Sequence, residues 1–243
     1  MSNPHVLISL CIPTKNRWNF LKVNIPNYLE NPFIDEIVIC DENGDDAKLI
    51  NETYKDNEKI KVYSNDKILG AFLNKRKVVS LAKNDFVCLM DSDNFAPLSY
   101  FEAWNTYIQT NGLKENIVYC PSRTIPQPNH QGFDYRSIIG SYNFEDCKKN
   151  FNNVTFNTML NTGNYIFSKK LYMESKPDES HQGLVSSCKA LDVLFQNYLL
   201  FTKGNGVITI VPDMEYNHIV HDGSYYMETH KEIDSNKFYN LFK

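Results

Sequence analysis

The segment Val6-Leu7-Ile8-Ser9-Leu10-Cys11-Ile12 carries apolar side chains at both odd and even positions, with one serine as its only polar member. Successive strand residues point to opposite faces, so such a run fits a strand covered on both sides, and Pro13 is expected to stop it. Glu36-Ile37-Val38-Ile39-Cys40 and Asp85-Phe86-Val87-Cys88-Leu89-Met90 have the same character, and Lys59-Ile60-Lys61-Val62-Tyr63 alternates. Helical spacing fills the gaps, over Arg17 to Leu29, Leu69 to Lys83, and Pro97 to Thr110. Pro26 is expected to bend or end the first of these helices, and Pro97 suits the start of the last. Strands joined through helices pair in parallel with right-handed crossovers. The chain therefore predicts an α/β fold with a mostly parallel central sheet.

Ligands of such sheets sit beyond the carboxyl ends of the strands. Here those ends are Pro13-Thr14, Asp41-Glu42 and Asp91-Ser92-Asp93, which should gather along one edge. Glu42-Asn43-Gly44-Asp45-Asp46 reads as a turn and helix cap. The second half is less regular. Ile117-Val118-Tyr119-Cys120 predicts a strand, followed by a loop from Pro121 to Gly140. Further strands are expected at Gly163 to Phe167, Val207 to Val211 and Tyr216 to His221, with a helix over Lys189 to Leu200. No repeat or low-complexity linker divides the 243 residues, which predicts a single domain over 1–243.

Asp91-Ser92-Asp93-Asn94 closes the fourth apolar run. Residues i and i+2 of an extended chain face one side, so Asp91 and Asp93 can converge on one ion. Hard oxygen ligands prefer Mg²⁺ or Mn²⁺ and leave coordination positions open for a phosphate. A solvated turn would use the same residue types.

The net charge of -4 argues against an electrostatic nucleic-acid binder. No basic leader precedes the first strand, and no run of about 18 apolar residues implies a membrane span. Cys11, Cys40, Cys88, Cys120, Cys147 and Cys188 form no CxxC pair and read as small buried hydrophobes in a reducing compartment. A cytoplasmic protein is expected. The aromatics Tyr225, Tyr226, Phe238, Tyr239 and Phe242 read as core packing or a homodimer contact rather than a membrane-facing lid.

Four pieces of the chain, in order, resemble the GT-A-fold glycosyltransferases, family 2 above all. They are Ile8 to Arg17, Val38 to Asp46, Asn65 to Ala82, and Leu89-Met90-Asp91-Ser92-Asp93-Asn94, which is similar to that family's Asp-x-Asp metal motif. The resemblance is strong over residues 6 to about 110 and thinner beyond. It implies a nucleotide-diphosphate sugar donor, a UDP-sugar foremost, and a glycan, protein or lipid acceptor. Pro13, Thr14, Arg17, Asp41, Gly70, Lys75, Asp91, Ser92 and Asp93 would bind the donor, although turn capping would equally explain Asp41. The family's usual Ala-Arg-Asn is replaced by Asn74-Lys75-Arg76, so Lys75 stands where an arginine is common. Arg76 and Lys77 would otherwise form a solvated helix face.

The same resemblance makes Asp91 and Asp93 ligands of Mn²⁺ or Mg²⁺, Asp93 the more direct, with a C-terminal histidine as third. In an extended segment His218 and His221 face opposite sides, and His221, next to Asp222-Gly223, is the better placed. Inverting transfer also needs a base for the acceptor hydroxyl. Asp192 occupies that place in the resemblance, although Leu191 stands where the family often has Glu. If Asp192 is not the base, a retaining route gains weight. Thr162, Gly163 and Asn164 would line the acceptor or sugar side, or simply form a turn. The nucleotide-binding half would run to about residue 115 and the acceptor-binding half from about 116.

Two other classes compete. A sugar-phosphate nucleotidyltransferase usually opens with a Gly-rich loop, and Ile12-Pro13-Thr14-Lys15-Asn16 has no glycine. A nucleotide-sugar-binding protein that has lost turnover is compatible with the missing acidic partner of Asp192. A dinucleotide dehydrogenase is excluded, because no GxGxxG follows the first strand.

Overall fold

The computed structural model describes residues 5–127, 132–219, 221 and 223–243, with every side chain in that range except those of Tyr226 and Glu228. Among these residues eight strands form one sheet: β1 Ile8–Thr14, β2 Ile34–Asp41, β3 Ile60–Ser64, β4 Phe86–Leu89, β5 Ile117–Ile125, β6 Ser141–Tyr142, β7 Ile166–Ser168 and β8 Val207–Asn217. Their order is β3-β2-β1-β4-β7-β5-β8-β6. Helices α1 (Trp18–Leu29), α2 (Asp45–Thr53), α3 (Ala71–Leu81) and α4 (Leu98–Asn111) connect the first five strands. Later come α5 (Phe144–Asn150), α6 (Val154–Leu160), α7 (Lys169–Glu174) and α8 (Gln182–Ser187). Then follow α9 (Asp192–Gly204), α10 (Tyr225–Thr229) and α11 (Ser235–Tyr239). β1 pairs in parallel with β2 and β4, β2 with β3, and β5 with β8. β7 runs against β4 and β5, and β6 against β8, so six of the eight strands share one direction. The mostly parallel sheet expected from the sequence is what forms.

Both faces are covered, which is why β1 and β2 carry apolar residues at both odd and even positions. Leu10, Ile12, Ile37 and Ile39 pack on one face with Leu21 and Ile25 of α1 and Trp104 of α4. Cys11, Val38 and Cys40 pack on the other with Phe72 and Val79 of α3 and Phe195 of α9. All six cysteines are free and buried. Phe238 and Phe242 are buried to 1% exposure, and Phe242 stacks on Phe151, so the C-terminal aromatics with described side chains serve mainly the core. Among the described residues no helix is long and apolar enough to cross a membrane.

Pro13 and Pro121 depart from expectation, each for a local reason, and Pro26 does not end its helix. The Cys11 carbonyl accepts the Met90 amide at 2.9 Å, so odd positions of β1 direct their backbone polar groups at β4. The next rung of this parallel ladder would run from a residue-13 N–H to the Met90 carbonyl, and proline has none, so β1–β4 pairing ends at Leu89 while pairing with β2 runs on to Asp41. Pro13 therefore continues the strand and marks where β1 and β4 part. Pro26 lies inside α1, which runs on to Leu29 because Ile25 and Tyr28 are buried. Pro121 sits where β5 has lost its β7 neighbour and where the β8 register shifts, so β5 extends to Ile125 instead of becoming a loop. Finally, Tyr216 belongs to β8, not to a separate strand, and Asp213 bends that strand at a φ of 61°.

Candidate functional site

The Asp91-Ser92-Asp93-Asn94 turn lies at the carboxyl edge, in the opening between β1 and β4. It is held from three sides. Asn164, in the left-handed region at φ 62°, accepts the Asp91 amide hydrogen at 2.7 Å through Oδ1. Its carbonyl takes the Tyr100 hydroxyl at 2.7 Å. Asn94 accepts the Ile219 amide hydrogen at 3.0 Å, and its carbonyl accepts from Asn24 at 3.1 Å. Ser92 is buried within the turn.

The two aspartates go different ways. Asp93 Oδ2 stands 3.1 Å from His221 Nε2 and 3.7 Å from Arg17 Nε. Arg17 also donates to the Gly223 carbonyl, fastening the β1–α1 loop to the C-terminal segment. Burial pushes the Asp93 carboxyl up, as does the charge of Asp91, while His221 and Arg17 pull it down. His218 lies instead against Phe133 and Tyr216. Val220 and Asp222, on either side of His221, lie outside the described residues.

Asp91 turns toward α3, where Lys75 Nζ stands 3.1 Å from Asp91 Oδ1 and 3.0 Å from Asp192 Oδ2. Burial alone would lower the Lys75 ammonium, but Asp192 and then Asp91 outweigh it and hold it charged. Asp192 is the first residue of α9 and is 6% exposed. Burial pushes its carboxyl up, Lys75 opposes, and Asp91 adds to the rise.

At the end of β2, Asp41 caps its own turn. It accepts the Asn43 amide at 3.3 Å and the Ala47 amide at 2.9 Å, using both oxygens. Thr14 donates its hydroxyl to Asp46 at 2.6 Å, and Asp46 also accepts the Arg17 and Trp18 amides at 2.9 Å, capping α1 across the loop. Glu42 points to the α3 side, where Oε2 accepts the Leu69 amide at 2.7 Å and Oε1 is buried without a hydrogen-bond partner among the described residues. Such an orphaned oxygen on a ligand-binding edge calls for a donor. The sequence places Glu42 at a strand end and both Glu42 and Asp46 in a turn and helix cap, without a binding role for either. Face alternation carried the signal for Glu42, since consecutive residues Asp41 and Glu42 must diverge.

Gly70 opens α3 at φ 81°, and a Cβ there would meet nothing within 4 Å. It lines a cleft of about 670 Å³ with Phe72, Leu73, Val185, Cys188 and Tyr225. Arg76 is half-buried and lies outside the cleft lining. It donates to the carbonyls of Tyr172, Met173 and Ser175 and to Gln196 Oε1 at 2.9–3.1 Å, tying α3 to α7 and α9. Lys77 reaches Asn65 Oδ1 at 2.7 Å. Thr162 and Asn164 are buried, Thr162 Oγ1 sits 2.5 Å from the Tyr135 hydroxyl, and a Cβ on Gly163 would touch Val193. Their polar groups are engaged inward, so this segment braces the site from beneath.

Among the described residues no three His, Cys, Asp or Glu side chains converge as a metal cluster. Of the expected set of Asp91, Asp93 and His221, Asp93 meets His221 while Asp91 pairs with Lys75. Asp93 Oδ2 and His221 Nε2 are still a carboxylate oxygen and an imidazole nitrogen within 3.1 Å, a donor pair that fits Mn²⁺, and less well Mg²⁺.

No curated protein matches the chain at significant sequence similarity. Among solved structures it superposes on residues 1–349 of S. aureus TarS in complex with UDP-GlcNAc, with a TM-score of 0.66 and 14% identity over 97% of this chain and 64% of that one. The UDP complex of the same fragment gives 0.64 and 15% over 91% and 62%. GalNAc-T7 with UDP, GalNAc and Mn²⁺ gives 0.62 and 15% over 90% and 45%. The chain thus spans less than two thirds of these relatives, and the likeness establishes a shared GT-A fold. Residues 9–174, from β1 through α7 with the Asp91-Asn94 turn and Lys75 among them, match the model of glycosyl transferase family 2. The chain belongs to glycosyl transferase family 2.

Proposed function

We propose that the chain moves a sugar from a nucleoside diphosphate, a UDP-sugar, to a hydroxyl of a glycan, protein or lipid acceptor, with inversion and with a divalent cation. The observation that carries this proposal is the meeting of Asp93 and His221 at 3.1 Å on the carboxyl edge, although 128 residues separate them in sequence. The shared fold of UDP-GlcNAc-bound TarS and Mn²⁺-bound GalNAc-T7 supports the donor and the ion. Asp93 and His221 would hold Mn²⁺ or Mg²⁺, which when bound supplies Lewis-acid stabilisation of the departing diphosphate. Arg17 adds a second positive charge beside it. Pro13, Thr14, Gly70 and Ser92 wall the donor, Asp41 keeps its loop in shape, and the free oxygen of Glu42 accepts a hydrogen from the nucleoside. Asp192 takes the proton of the acceptor hydroxyl, and the acceptor enters on the side built by residues 116–243.

A panel of UDP-sugars incubated with Mn²⁺ tests this. Free sugar and UDP should be released, or transferred when acceptor is present, and a chelator should stop the reaction. Pyrophosphate exchange would mark a nucleotidyltransferase. Binding without turnover would mark a nucleotide-sugar-binding protein that has lost its chemistry, and either result overturns the proposal.

A further inference from the structure

Lys75 has little freedom to serve as a phosphate contact. Its side chain is 11% exposed, and its ammonium already stands between two carboxylates on two other elements, Asp91 after β4 and Asp192 at the start of α9. Asp192 Oδ2 has Lys75 as its one polar partner among the described residues. The backbone at each corner is fixed. Asn164 holds the Asp91 amide, and Arg76, one residue along α3, is bound to α7 and α9 through four acceptors. Lys75 therefore spans a gap whose width its neighbours have set.

Resting on the transferase proposal, we infer that Lys75 is a positioning residue, which spaces the Asp91–Asp93 turn from Asp192 and aims that carboxylate, rather than a group that grips the diphosphate. Without the ammonium the buried Asp192 carboxylate loses its counter-charge with the half-buried Asp91 carboxylate on the far side of the gap, and Asp192 must move or turn. A misplacement of about 1 Å in a reacting group costs on the order of 10²-fold in rate.

The experiment compares kcat for UDP-sugar turnover with the Kd for UDP in Mn²⁺, in the wild type, Lys75→Met, Lys75→Arg and Asp91→Asn. Lys75→Met should lower kcat about 10²-fold while Kd stays within about threefold, and Lys75→Arg should regain at least about tenfold of the lost rate. Should Lys75→Met not fold, Asp91→Asn reads the same question, because it removes one corner and leaves the Lys75–Asp192 pair. It too should lower kcat with Kd within about threefold. A Kd that rises in step with the loss of kcat in either variant would make the triad a donor contact and overturn the inference, as would unchanged kcat. Failure of the transferase proposal looks different: the wild type itself would neither bind UDP with Mn²⁺ nor turn over a donor.

Discussion

Asn94 Oδ1 accepts the Ile219 amide hydrogen at 3.0 Å, and the chain reaches His221 two residues later. The turn that carries Asp93 is thereby fastened to the segment that carries His221. A histidine far along the sequence meets its aspartate because a neutral side chain beside that aspartate holds the C-terminal backbone in place. Asn94→Ala should therefore cost about 1–3 kcal/mol of stability, for the orphaned amide, and weaken Mn²⁺-dependent UDP binding although Asn94 touches neither candidate ligand atom. Thermal unfolding and calorimetric titration on the same variant check both halves.

Asp192 should impose an acid limb on turnover. Burial, with Asp91, holds its carboxyl above the unfolded value of about 3.9 despite Lys75. The base form is then lost at a higher pH than for an exposed aspartate, so kcat/KM should decline with acid from above the ordinary carboxylate range. The stability sign follows from the same direction. The protonated form is favoured in the folded state, so the stability this group contributes is fully present below the unfolded pKa and is lost as pH rises through the folded one. Asp192→Asn should remove the limb, lower turnover by about 10²–10⁴-fold and leave UDP binding intact. A pH profile of both proteins decides it.

Glu42→Ala is expected to weaken UDP binding about tenfold, corresponding to one buried hydrogen bond of about 1.4 kcal/mol, while the ratio of affinities with Mn²⁺ and with chelator is kept. A variant that lost the Mn²⁺ effect instead would move Glu42 from the nucleoside to the ion.

Arg76→Ala should behave differently from any change at Lys75. Four acceptors on α7 and α9 lose their donor, at a cost of about 2–4 kcal/mol, yet UDP affinity of the folded protein should persist. Urea denaturation followed by binding at low denaturant separates the two effects.

Much of this architecture was legible in the sequence for reasons that can be stated. β1, β2 and β4 carry apolar residues at both parities, a pattern that only a doubly covered strand needs, and the Asp91–Asn94 turn follows from where the fourth run stops. Proline was the commonest source of error. Whether Pro13 or Pro121 breaks a strand depends on which neighbour its nitrogen faces, and that is a property of the sheet. The short helices α5 to α8 and the two-residue β6 are too brief to set up a periodicity. Adjacent cations could not be sorted either: Lys75 enters the site and Arg76 braces α7 and α9 because one helical step turns the side chain by about 100°. The inward use of Thr162 and Asn164, and the capping of α1 by Asp46, rest on contacts between distant segments that no local pattern encodes.

The most direct test of a cation-assisted diphosphate site is UDP titrated into the wild type, Asp93→Asn and His221→Ala, each with Mn²⁺ and with chelator. The wild type should bind UDP at least about tenfold more tightly with Mn²⁺, and both variants should lose most of that gain while keeping the weak chelator-insensitive binding that Arg17 and Glu42 sustain. Equal affinity with and without Mn²⁺ in the wild type, or a Mn²⁺ effect untouched in both variants, would contradict it.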